Sequence, residues 1–461
     1  MKKFLLIPLV IVLAGALIFG GCAKPAPTPT PTPTPAPTPA PTPPPGPEEI
    51  LIGTSAPMTG MFAGFGTGCI FGMEAAIEDI NKLGGVYIEE FGRKLPVKLI
   101  VANNESDPVK AGTLAEDLIV RDKVHVLLSS DEPVTIHGPV ATKADKYKIP
   151  HVIGGGPFEP WHFQRIEVTP PWEYTWLCGF RIGMPYPEGS FQYGKPGWTI
   201  TDSWFEFLDK FADQTNKVAG VTASDDPDGI GWYHEIPPAL EAYGLTVIGV
   251  EKELGLFPIG TTDFTPIITE WMDNDVEILW GNCPGPDWGT LWRQCYTQGF
   301  KPKIATIGRA PLFYIDASSW GGDLPWGVGV EVWWDSSYPP ESCPGIGDTT
   351  AKSLSERWAK ATGQPLNPGI GHGYLEAQVI LDAIERAGTL DGTVISKAVG
   401  ETDMPTINHR VLFIKEDHFS GIPLFVGQWT KTNKPHVWEL PIVFSQHDWL
   451  RPTSEPIFPL P

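Results

Sequence analysis

Twice along this chain an uninterrupted apolar run is followed by an amphipathic stretch of helical period and then by another apolar run. The first series starts at Ile50: ILIGTS, GCIFGMEAAIEDINKLG closed by Gly84, PVKLIVA, PVKAGTLAEDLIVRD, VHVLLSS, VTIHGPVATKADKYK and IPHVIGG. The second starts near Lys217: KVAGVTAS, IGWYHEIPPALEAYG, LTVIGVE, DFTPIITEWMDN, VEILWGN, DWGTLWRQCYTQG and PKIATIG. A strand that is apolar throughout must be covered on both faces, and helices interleaved in βαβ units supply that cover. The pattern predicts two α/β units, each a mostly parallel sheet flanked by helices. An aromatic, proline-rich region from Pro157 to Trp204 divides them. Two late helices, near 353–362 and 374–387, and antiparallel-looking strands in HRVLFIK and GIPLFVGQWT follow, so the lobes share C-terminal elements and several crossovers. The 461 residues are ample for such cores.

Ahead of Ile50 nothing can build a core. Lys2 and Lys3 precede an apolar run from Phe4 to Phe19 that ends in Gly20, Gly21 and Cys22. A charged start, a short apolar centre and small residues before a cut site make an export signal. The closing FGGC resembles the bacterial lipoprotein box, with Phe19 where leucine is usual. That resemblance implies lipidation of Cys22, so that residues 1–22 are a signal and the folded part is held to a membrane outside the cytoplasm. Residues 23–47 are a Pro-Thr-Ala linker, uncharged from Pro25 onward. Alternating prolines favour extended polyproline II, a semi-rigid spacer of about 3.1 Å per residue and thus about 70 Å in reach.

A formal net charge of −21 argues against nucleic acid or an anionic lipid surface as partner. Five cysteines follow Cys22: Cys69, Cys178, Cys283, Cys295 and Cys343. An exported chain permits disulfides, and Cys283 with Cys295 is the pair nearest in sequence, but an odd count leaves a thiol over. No Cys-x-x-Cys, Gly-x-Ser-x-Gly, His-Glu-x-x-His, Walker loop or Gly-x-Gly-x-x-Gly occurs. The reading is a binder and not an enzyme, with no cofactor and no metal. SDDPDGIGWYHE at 224–235 partly fits a calcium loop, yet position one is serine and Pro237 and Pro238 interrupt the exiting helix. A strand-to-helix loop fits it better, with Asp228 capping the helix or reaching a cleft.

SAPMTGMFAGFGTG at 55–68 resembles the opening loop of type I periplasmic binding proteins, in the branched-chain amino acid and amide group that serves ABC importers. NESDPVKAGTLAEDLI, GTTDFTPIITEWMDNDVEILWGNCPGPDWGTLWRQCYTQGFKPK and GYLEAQVILDAIERAGTLDG resemble later blocks of that group in the same order. The resemblance implies a two-lobed venus-flytrap fold with three hinge crossovers. Lobe 1 is expected over 48–182 and 308–408, lobe 2 over 183–307 and 409–445, and a tail over 446–461. It also implies a small-molecule ligand between the lobes, a membrane permease as partner and a monomer.

Ligands of open parallel sheets sit beyond the carboxyl ends of the strands, and helix N-termini there offer free N–H groups. The triple glycine of IGGGPFEPWHF, at 154–156, falls at such a place, where Gly155 and Gly156 would let backbone approach a ligand; a plain tight turn is the competing reading. The other first-lobe candidates are Phe65, Asn104, Thr135 and Trp161, with Tyr374 on the late helix. Asp228, Trp232, Asn282 and Cys283 are the second-lobe candidates. Among 18 tryptophans, Trp172, Trp176 and Trp280 also fall near cleft-side loops, but most are expected in the core and two or three in the cleft.

Amino-acid binders of this group hold the ligand's carboxylate with hydroxyl side chains and its ammonium with a glutamate. Here Pro157 falls where one threonine is expected, and TIGRAP puts Arg309 and Ala310 where the glutamate is expected. A free guanidinium there would grip a carboxylate, so the expected ligand is a small carboxylate with an aromatic body; an Arg309 paired with an acidic neighbour is the competing reading. A hydrophobic amino acid or amide is the alternative ligand, and sensing for a receptor the alternative role.

Overall fold

The computed structural model describes residues 46–250 and 253–461. The export signal, Cys22 and almost all of the Pro-Thr tract lie outside the described residues. Pro43–Pro461 forms one compact unit built on two sheets.

The first sheet has six strands, in the order Phe419–Gly421, Thr175–Gly179, His151–Ile153, Val126–Ser129, Ile50–Ala56, Val97–Asn103. Every pairing in it is parallel. The second sheet runs Leu256–Phe257, Val218–Ser224, Ile278–Cys283, Ile304–Arg309, Gly329–Val332, Phe425–Gln428, Ile442–Phe444, with Thr246–Ile248 also on Val218–Ser224. Its last two strands are antiparallel. Both apolar series thus became parallel sheets, as their unbroken burial demanded.

Five of the described helices start at a residue whose side chain caps them. Asp107, Thr199, Asp226 and Asp391 each accept from a backbone N–H of the following first turn, and Thr350 with Ser353 makes a reciprocal pair. Helices Ala63–Lys82 and Gly369–Ala387 pack face to face, and a Cβ on Gly373 would collide with the Cys69 carbonyl.

The chain passes from the first sheet to the second at 180–199, returns after Val332, and crosses again at 422–424. These are the three crossovers of a two-lobed fold. Sheet membership departs from the expected boundaries at two strands. Gly329–Val332 pairs at Thr306 within the second sheet, and Phe419–Gly421 pairs with Leu177–Gly179 in the first. The first crossover is anchored by Glu159, whose carboxylate accepts the backbone N–H groups of Ile182, Gly183 and Met184 at 2.9–3.1 Å.

The proline-rich divider is itself structured. It holds helix Phe158–Glu167, with Pro160 in the first turn where its missing N–H costs nothing, then strand Thr175–Gly179 and the start of helix Ile200–Phe211. All five described cysteines are free and buried, Cys283 and Cys295 included. Among the described residues no helix is long and apolar enough to cross a membrane.

Candidate functional site

The carboxyl ends of the two sheets face each other across a cleft. Phe65, Asp131, Gly156, Pro157, Phe180 and Trp333 line it together with Asp228, Trp232, Asn282, Arg309, Leu312 and Glu331. The lobes are in contact over it. Helix Pro227–Tyr243 of the second lobe touches both Val134–Tyr147 and Phe158–Glu167 of the first, and Thr135 Oγ1 reaches Asp226 Oδ2 at 3.5 Å. A Cβ on Gly231 would stand 3.2 Å from the Pro160 ring. This is the closed arrangement of the lobes.

Six expected residues meet here: Phe65, Gly156, Asp228, Trp232, Asn282 and Arg309. Thr135 lies beside the cleft as the bridge to Asp226 and does not line it. The other five lie elsewhere. Asn104 ties its own loop together, donating to the Ser55 carbonyl and accepting from the Ser106 N–H. Trp161 is fully buried among Val134, Phe158, Leu177 and Trp198. Cys283 packs into the second-lobe core with Trp288 and Leu291. Tyr374 donates to Asp79 at 2.9 Å from the first-lobe core. Gly155 does not itself line the cleft: a Cβ there would meet Oδ1 of the lining residue Asp131 at 2.5 Å and His372 Nδ1 at 2.6 Å.

The triple glycine is therefore needed for a close approach, though chiefly to side chains behind the cleft wall. Gly154 abuts Glu376, Gly155 abuts Asp131 and His372, and Gly156, at φ 144°, turns the chain into the cleft. His372 Nδ1 sits 3.0 Å from Asp131 Oδ1, and the His372 ring stacks on Trp333 at 5.3 Å. Trp176, stacked on His418, and Trp280, packed against Trp204, are core residues; Trp172 is likewise buried outside the cleft.

Arg309 ends its strand with φ 66°, in the left-handed region that non-glycine residues avoid. Its guanidinium is already engaged. Nη1 lies 2.9 Å and Nη2 3.1 Å from the two oxygens of Asp226, Nη2 also donates to Ser224 Oγ, and Asp228 Oδ2 is 3.6 Å away. The competing reading of Arg309 is the one the structure holds, and the argument for a carboxylate ligand loses the free cation on which it stood. Burial opposes charge on Asp226, yet the guanidinium outweighs it and holds that carboxyl below its usual range.

Two other carboxyls of the lining are held less closely: Asp228 is 3.6 Å from the same guanidinium, and Glu331 has no cationic partner. Burial pushes Asp228 up to about 6, even beside Arg309, and pushes Glu331 from 4.5 up to about 8. Glu331 is 1% exposed. Its Oε1 is a marginal 3.5 Å from the Arg309 N–H, and its Oε2 has no partner. Asn282, equally buried, leaves Oδ1 without a partner. Phe65, Phe180, Trp232 and Trp333 make the apolar walls, with Phe180 stacked on Trp333 at 5.5 Å and edge-on to Trp232 at 6.3 Å.

Sequence reading did not pick out Asp131, Phe180, Leu312, Glu331 or Trp333. Glu331 had a signal: it is the one acid inside the apolar run VGVEVWW. A larger recess, lined by Trp334, Ser355, Leu366 and Pro441 among others, contains none of the expected residues. Among the described residues no cluster of histidine, cysteine and carboxylate side chains could hold a metal ion.

Comparison with known proteins gives a consistent picture. A family model described as periplasmic binding protein matches residues 49–434. The fold is similar to that of the leucine-binding protein LivK of Thermotoga maritima, with a TM-score of 0.65 at 18% identity over 86% of this chain and 99% of that one. It is similar also to an ABC-transporter solute-binding protein of Rhodopseudomonas palustris BisB5 in complex with 3,4-dihydroxybenzoic acid (TM-score 0.62, 16% identity, 85% and 95% covered). A third is an ABC-transporter substrate-binding protein of Desulfitobacterium hafniense complexed with Leu (TM-score 0.59, 14% identity, 85% and 100% covered). No curated protein matches by sequence.

Proposed function

The chain belongs to the periplasmic binding protein family, and from that premise we propose that it is the extracytoplasmic receptor of an ABC importer, closing on a small organic ligand and handing it to a membrane permease. The observation that carries this reading is the cleft. Residues more than two hundred positions apart, from Phe65 to Glu331, converge from the carboxyl ends of both sheets on one buried space. Three crossovers join the lobes, which is the construction that lets a hinge open and shut. Aromatic walls favour a ligand with an apolar or aromatic body. The lipoprotein box at Cys22 supports attachment to the membrane by lipid, and the chain is proposed to act as a monomer.

The carboxylate expected from sequence is no longer favoured, because Asp226 occupies the Arg309 guanidinium. The hydrophobic amino acid alternative draws support from similar proteins described as leucine-binding or complexed with Leu. A thermal-shift measurement tests the reading. Residues 48–461 are heated with a desalted, low-molecular-mass bacterial extract. Stabilisation should be seen in the unaltered protein and in Ser355→Ala, at the outer recess, and be weakened in Asn282→Ala. Equal stabilisation in Asn282→Ala, or loss in Ser355→Ala, would move the site out of the cleft.

A further inference from the structure

The polar groups of the cleft are unbalanced in a way that bears on ligand charge. One cation, Arg309, faces the space, and it is matched by Asp226. Three carboxylates remain on the lining: Asp131 from the first lobe, and Asp228 and Glu331 from the second. Among the lining atoms left without partners, the acceptors Glu331 Oε2, Asn282 Oδ1, Asp228 Oδ1 and Asp131 Oδ2 outnumber the donors Arg309 Nε, Trp232 Nε1 and Trp333 Nε1. Glu331 Oε2 and Asn282 Oδ1 each belong to a residue 1% exposed, and neither has a donor within reach. Buried acceptors without donors are costly. Around them stand the faces and edges of Phe65, Phe180, Trp232 and Trp333.

We propose that the cleft selects a small organic cation, a protonated amine carried on an apolar or aromatic body, and disfavours carboxylates. An ammonium brings N–H donors to acceptors that lack them, and its charge answers the surplus carboxylates. Aromatic faces attract a desolvated cation further. A carboxylate would instead be set beside Asp131, Asp228 and Glu331 and would find the guanidinium already taken by Asp226. The inference rests on the cleft being the binding site. The raised proton affinity of Glu331 fits it: a buried acid stays neutral in the empty cleft and ionises when a cation arrives.

Three probes with one ring separate the charges: phenethylamine as cation, phenylacetate as anion and phenylalanine as zwitterion, compared by thermal shift at pH 7. Phenethylamine should stabilise the protein, with at least tenfold tighter apparent affinity than phenylacetate. Glu331→Gln and Asp228→Asn should each weaken amine binding at least tenfold while leaving the melting temperature of the empty protein unchanged or higher, which excludes misfolding as the cause. Stabilisation by phenylacetate or phenylalanine with phenethylamine inert overturns the proposal and leaves the binding-protein reading intact. If all three are inert, the low-mass extract is divided at pH 7 on cation- and anion-exchange resins. Stabilising activity retained by the cation exchanger supports the proposal; activity on the anion exchanger or in the unretained fraction overturns it. An extract without any stabilising activity overturns the reading of the cleft as a binding site, and the proposal with it.

Discussion

Replacing Glu331 by glutamine should make the empty protein more stable, by an amount that grows with pH. Glu331 is buried on strand Gly329–Val332, with one oxygen at 3.5 Å from a backbone N–H and the other unpartnered. Its proton affinity rises from the ordinary 4.5 to about 8. Above about pH 4.5 the unfolded chain releases this proton while the folded protein keeps it, so the folded state loses stability as pH rises until the folded group also ionises near 8. The slope is about 1.4 kcal/mol per pH unit, which at pH 7 amounts to about 3 kcal/mol relative to pH 4.5. Glutamine keeps the shape and does not titrate. Urea denaturation of both proteins at pH 5, 6, 7 and 8, at matched ionic strength, isolates the effect, because Asp228 and the surface carboxylates titrate in both. The difference in unfolding free energy should widen steadily from pH 5 to pH 8 and level off above. Parallel stability curves, with a constant offset, would mean that Glu331 is ionised and satisfied in the empty cleft and would remove the physical basis given for its raised affinity.

Other expectations follow from neighbouring features. Arg309→Met should cost about 3–5 kcal/mol in denaturant unfolding, because it leaves Asp226 buried and unpaired; a loss under about 1 kcal/mol would mean that Asp226 is hydrated from the cleft. Gly231→Trp places an indole where a Cβ is already 3.2 Å from Pro160 of the other lobe. It should hold the lobes apart, raising the radius of gyration in X-ray scattering and abolishing stabilisation by the extract; unchanged scattering would place the hinge contact elsewhere. The five cysteines beyond Cys22 should resist alkylation in the native protein and all react in denaturant, since burial raises every one of these thiols. Labelling of any of the five before unfolding would contradict their placement.

The alternation of apolar and amphipathic segments was enough to foresee two parallel sheets, because strands buried on both faces leave an unbroken apolar record. The strand ends and the loops after them were legible for the same reason, and Phe65, Asp228, Trp232, Asn282 and Arg309 reach the cleft from the last residues of strands or the first two turns of the helices that follow them. Which way a side chain turns within such a loop was not legible. Asn104 and Cys283 occupy equivalent places and turn inward, and Trp161 and Tyr374 lie on helices whose buried faces the loops do not reveal. The pairing of Arg309 with Ser224 and Asp226 joins residues more than eighty positions apart, and no local pattern encodes such a contact. The third crossover, expected at 408–409, lies at 422–424, and it was missed for another reason. Phe419–Gly421 and Phe425–Gln428 belong to different sheets with three residues between them, Ile422 to Leu424, and composition does not change across the gap.

The anchoring of the first crossover by Glu159 has a mechanical meaning. A swinging door needs a fixed pin, and the peptide groups of Ile182, Gly183 and Met184 are pinned to the first lobe by a single carboxylate. Farther along, Tyr186 packs against Phe419 and Gln192 donates to the Gly421 carbonyl, so the connection stays tied to the first lobe beyond Met184. The lever arm runs from that pin to helix Pro227–Tyr243, where the far lobe meets Pro160, one residue along from the pinning side chain itself. The same short turn of helix thus carries both the pivot and the doorstop, so the opening angle is governed locally and a change of one residue there resets the travel of a whole lobe.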